Sequence, residues 1–66
     1  MISNLKKARE KAGLTQEQLA ENVGVARQTI LFLEKGQYNP SLRLAHKISK
    51  IVKVPITELF SFEDEK

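Results

Sequence analysis

Residues 14–36 read LTQEQLAENVGVARQTILFLEKG, and the run Ile30-Leu31-Phe32-Leu33 inside this stretch decides the fold. Four consecutive apolar residues suit either a strand buried on both faces or a helix. Gly24 a few residues before and Gly36 just after bound the segment as helix breakers do. As a helix turning about 100° per residue, the run divides. Ile30 and Leu33 define a buried side. Gln28 points almost directly away from it, Leu31, Phe32 and Lys35 join Gln28 on the outer face, and Arg27 lies at the leading edge. Two large apolar side chains are thus expected on the outside of a small protein.

The punctuation on either side predicts five helices. Asn4 or Ser3 caps the first, 5–12, which Gly13 ends in the left-handed region. Thr15-Gln16-Glu17-Gln18 has capping-box spacing and opens the second, 16–22. The third spans 27–35. Asn39 precedes Pro40 and is pushed out of the helical region, so 37–40 is a loop. Ser41 or Asn39 caps the fourth, 42–52, and Pro55 suits the first turn of a short fifth, 56–60. Apolar spacing agrees: Leu5, Ala8 and Ala12; Leu19, Ala20 and Val23; then Ala45, Ile48 and Val52, flanked by Leu44 and Ile51. Arg43, His46, Lys47 and Lys50 share the other side of the fourth helix. Ile2 and the alternation Phe60-Ser61-Phe62 can pair as a two-stranded ribbon joining the termini.

Composition narrows the class. With 66 residues the chain is expected to be one domain, 1–66, whose small core makes folding marginal unless it is compactly helical or dimeric. It has no cysteine, so neither a disulfide nor a thiolate metal site is available, and one histidine cannot form a metal site alone. No cofactor is expected. No apolar run approaches the roughly 20 residues of a membrane span, and no secretory leader is visible. The expected location is cytoplasmic. The net charge is +3 and the pI about 9.5. Cations run from Lys6 to Lys53 while Glu58, Glu63, Asp64 and Glu65 gather at the end, so the body is more basic than the whole and suits a polyanion. An enzyme is not expected: His46 lies on the polar side of the fourth helix with no triad around it, and there is no glycine-rich phosphate loop.

Residues 16–36 carry the functional signal. A short helix ends at Gly24 and another begins shortly after it. Small Ala20 sits where the second must cross, and Leu19, Val23, Val25, Ile30 and Leu33 fill the angle. This is the layout of a helix-turn-helix. The phrases LTQ, LA, GV, RQTI and LEKG stand in the order and spacing of the phage-repressor and Cro-type helix-turn-helix proteins, and from Leu5 to Phe60 the chain resembles that family, the Xre family.

The resemblance implies an all-α, five-helix, lambda-repressor-like domain with its helix-turn-helix at about 16–35. It also implies a homodimer that binds a palindromic operator in double-stranded DNA and regulates transcription, as a repressor. In the family the third helix enters the major groove with its N-terminal residues on base edges. Arg27 then faces guanine and Gln28 adenine, while Phe32, one turn after Gln28, and Leu31 meet thymine methyl groups; Leu31 is alternatively an edge or subunit contact. Thr15 and Gln16 open the helix that approaches a phosphate. Lys35, Gln37, Asn39, Ser41 and Arg43 follow as phosphate contacts, with capping an equal reading for Asn39 and Ser41 and a solvated helix face the alternative for Arg43. Arg9 and Glu34 match a pair the family uses structurally between the first and third helices. Ala26 departs from the pattern, which places a capping Ser or Thr there.

With no room for a ligand-sensing domain, control is expected to rest on concentration, dimerisation, temperature or a regulatory protein partner. Ile56, Leu59, Phe60 and Phe62 are the expected dimer surface, closure of the chain's own core being the alternative. A second reading uses the same fold as an adaptor or antitoxin that presents Leu31 and Phe32 to another protein.

Overall fold

The computed structural model describes residues 2–61. The elements run, in chain order, β1 (Ile2–Ser3), α1 (Leu5–Lys11), α2 (Gln16–Val23), α3 (Arg27–Glu34), α4 (Leu42–Val52), α5 (Ile56–Leu59) and β2 (Phe60–Ser61). The two short strands pair antiparallel, Ile2 opposite Ser61 and Ser3 opposite Phe60, closing the described chain end to end.

Side-chain caps set several helix starts. Thr15 Oγ1 accepts from the Gln18 amide at 3.0 Å and Gln18 Oε1 accepts from the Thr15 amide at 2.9 Å, so the capping box is complete. Ser41, not Asn39, caps α4, its hydroxyl accepting from the Leu44 amide. At α1 the side-chain acceptor is Ser3, whose Oγ takes the Leu5 amide. Asn4 instead ties the helix to α5, with its backbone amide donating to Leu59 O and its side chain to Glu58 O. Ala26 offers α3 no side-chain cap. The turn that sets the α2–α3 angle rests on Gly24 at φ 77°, a conformation that costs a residue with a Cβ more than glycine. There the Val25 amide reaches back to Ala20 O at 3.0 Å.

α4 ends without glycine. Lys53 takes the left-handed conformation at φ 62°, and Ser49 Oγ donates to Val54 O just beyond it. The expected ends of α1, α3 and α5 each retract by one residue, since Ala12, Lys35 and Phe60 are terminal caps. Phe60 leaves the helix to become a strand residue.

The core lies where α1, α2, α3 and α4 meet. Leu5, Leu19, Ile30, Leu33, Ile48 and Leu59 have no exposed surface. Each of these burials removes about 1.5–3 kcal/mol worth of apolar side chain from water. Among the described residues no helix is long and apolar enough to cross a membrane.

Candidate nucleic-acid interface

α3 is held by its inner side. Ile30 and Leu33 are fully buried, which leaves Arg27, Gln28 and Lys35 exposed and Phe32 39% exposed on the other side. Leu31 is half-buried, so it is an edge residue rather than part of the open face. Beyond α3, the Gly36 amide donates to Leu33 O and the Gln37 amide to Phe32 O. This closure satisfies two of the helix's last carbonyls and turns the chain into the exposed loop of Gln37, Tyr38 and Asn39. Ser41 and Arg43, at the head of α4, are exposed as well.

A buried polar junction joins this surface to the rest of the protein. Arg9 Nε donates to Glu34 Oε2 at 2.6 Å and its Nη2 lies 3.5 Å from Glu34 Oε1, with the two side chains 10% and 5% exposed. The third arm of the guanidinium donates to Leu14 O at 2.8 Å. Gln16 Nε2 donates to Glu34 Oε1 at 3.0 Å. Glu34 therefore links α1, the start of α2 and the end of α3. Its charge is compensated by a fork of hydrogen bonds, as a buried carboxylate requires.

That geometry changes the reading of Gln16. One of its two amide hydrogens is committed to Glu34, which fixes the side chain at the head of α2 and leaves its second amide hydrogen as a donor. The donors that the capping box leaves without an intrahelical partner there are the backbone amides of Gln16 and Glu17. The Gln16–Glu34 bond has no signal in the sequence beyond two polar residues 18 positions apart.

Two of the four residues expected to form a dimer surface are instead part of the protomer's own core. Leu59 is fully buried and Phe60 is 3% exposed in the isolated protomer, because four-residue α5 lies on α4 and Phe60 is drawn into the β1–β2 ribbon. Neither has surface left for a partner. Ile56 is half-buried against the same core, and Phe62 lies outside the described residues. Apolar exposure is instead found at Leu42 (78%), Ile2 (51%), Tyr38 (46%) and Ile51 (36%). His46 is exposed, and among the described residues no group of His, Cys, Asp or Glu is placed to hold a metal ion.

Two helices locked across a glycine turn, the second presenting a polar and partly apolar outer side, define a helix-turn-helix DNA-binding module. The helix-turn-helix family model matches residues 5–59, and the chain belongs to this family, the Xre-type DNA-binding transcriptional regulators. It is 54% identical over 66 residues to an uncharacterized HTH-type transcriptional regulator of Archaeoglobus fulgidus, covering all of this chain and 94% of that protein. It is 39% identical over 59 residues to the cryptic phage CTXphi transcriptional repressor RstR of Vibrio cholerae, covering 89% of this chain and 53% of that one. Among solved structures it is similar to the restriction-modification controller protein C.AhdI from Aeromonas hydrophila, with a TM-score of 0.75, 36% identity and 85% of each chain covered.

Proposed function

We propose that this regulator is a repressor that binds a palindromic operator as a homodimer, with α3 in the major groove of each half-site. The observation that carries this reading is the division of α3: its inner side is wholly spent on the core while Arg27, Gln28 and Phe32 stand free together outside. Arg27 suits the acceptor pair of guanine and Gln28 the donor–acceptor pair of adenine, and Phe32 offers apolar surface to a thymine methyl. Leu31 is at most a marginal contact. Thr15 and Gln16 with the amides opening α2, then Lys35, Gln37, Asn39, Ser41 and Arg43, grip the flanking phosphates and fix the register.

An eight-residue helix is only about 12 Å long and spans few base pairs, so a second copy is the ordinary way to lengthen the site. The protomers pair over apolar surface outside the core; Ile51 and half-buried Ile56 are two side chains that a partner can still cover. Repression is supported by the likeness to a phage repressor. A cytoplasmic location suits its work on DNA, and a regulatory protein partner is a further means of control in this reading.

Selection of bound sites from random duplexes tests the reading. The expected outcome is a palindrome whose half-sites are about one helical turn apart, with affinity falling steeply in salt. Recovery of no preferred sequence, with only weak salt-sensitive binding, would favour the adaptor reading instead.

A further inference from the structure

Lys47, exposed on the polar side of α4, lines a cleft that faces the helix-turn-helix. The cleft runs between the α2–α3 turn and α4 and is lined by Gly24, Val25, Tyr38, Ser41, Arg43 and Lys47, among others. Its volume is about 280 Å³, just under the lower end of the roughly 300–1,000 Å³ range of small-molecule pockets. That is ample room for a phosphate group with its flanking sugar edges.

The chemistry of the lining is one-sided. Arg43 and Lys47 are four residues apart on α4, hence neighbours on one helix face, where like charges repel. No carboxylate lines the cleft, and among the described residues the ion pair is Arg9–Glu34, with neither Arg43 nor Lys47 engaged. Tyr38 is 46% exposed and brings a phenolic donor. Ser41 Oγ accepts from the Leu44 amide, so its hydroxyl hydrogen stays available as a donor. On the opposite wall a side chain at Gly24 would meet no atom within 4 Å. Two cations and two hydroxyl donors therefore converge on open space with nothing to neutralise them.

We infer that this cleft seats one phosphodiester of the DNA backbone, gripped jointly by Lys47 and Arg43 with Tyr38 and Ser41 as neutral donors. The inference rests on the DNA-binding reading above and adds a joint grip that the loop contacts alone do not supply. The cleft's Val25 rim lies two residues before α3 begins, so a phosphate held here flanks the groove that α3 enters. Because both cations hold one group, their contributions are coupled.

The test uses the full chain and a duplex bearing its selected site, with affinity measured across salt concentrations. Lys47→Ala and Arg43→Ala should each weaken binding about tenfold. The double variant should lose less than the product of the two, since both act on one phosphate in each half-site, and the slope of log affinity against log salt should become shallower by about one for each protomer bound. Lys47→Arg should retain most of the affinity. Lys50→Ala, on the same stripe of α4 but outside the cleft, should change binding by about twofold or less. A pair of neutral methylphosphonate linkages, one at the same position of each half-site and moved together along the duplex, should at one position erase the effect of Lys47→Ala. Equal losses for Lys47→Ala and Lys50→Ala, or multiplicative losses for Lys47 and Arg43, would overturn the seat while leaving the DNA reading intact. A wild-type chain that binds no duplex would overturn both.

Discussion

The two sides of α3 differ in what holds them. Ile30 and Leu33 are fully enclosed by the core, and Glu34, next along the chain, is locked by Arg9 and Gln16. On the other side Gln28 and Phe32 face solvent, and no side-chain hydrogen bond engages Gln28 among the described residues. One eight-residue helix thus carries a side that determines whether the protein folds and a side that folding leaves free. Substitutions on the two sides should separate cleanly, stability from binding, and that separation can be broken or sharpened by measurement.

The largest effect is expected at Glu34. Glu34→Ala strands the buried Arg9 guanidinium and frees Gln16, and should cost about 3–5 kcal/mol of stability, a large part of the 5–15 kcal/mol typical of a folded domain. Denaturant unfolding will measure it; a loss under about 1 kcal/mol would mean the junction is solvated in solution. Leu33→Ala should follow at about 2–5 kcal/mol through the cavity it leaves, with DNA affinity per folded molecule retained. On the outer side, Phe32→Ala should lower discrimination for a T·A pair by about 1 kcal/mol or more while moving stability far less than Leu33→Ala does. Replacing the site's thymines by uracil one at a time identifies the methyl concerned, and equal loss of stability and binding would place Phe32 in the core. The smallest effect is a gain: Lys53→Gly relieves the left-handed lysine that ends α4 and should add about 0.5–1 kcal/mol, readable as a raised Tm.

Most of this architecture is legible in the residues because it is local. Thr15 and Gln18 announce α2 three positions apart, Gly24 announces the turn, and the phase of Ile30 and Leu33 orients α3. What could not be read depends on distance in space. Gln16 meets Glu34 only once α2 and α3 have crossed, and the Asn4 side chain finds Glu58 rather than capping its own helix because the ends of the described chain meet. Leu59 and Phe60 look like spare apolar surface because a four-residue helix has too little period to show which way it packs. Lys53 gave no warning, since a lysine in the left-handed region leaves none of the signal a glycine would. The binding side divides likewise: the openness of Gln28 and Phe32 follows from helix phase, whereas the cleft around Lys47 exists only where α4 passes the α2–α3 turn.

The most direct test of the divided helix is Gln28→Ala, measured against both the selected duplex and a random one alongside thermal unfolding. The expected result is a loss of about 1–3 kcal/mol on the selected duplex, with relaxed preference at one base pair, and unchanged affinity for the random duplex and unchanged Tm. Full affinity and full preference for the selected site in Gln28→Ala would contradict the account, because the side of α3 that folding leaves free would then not be the side that reads DNA.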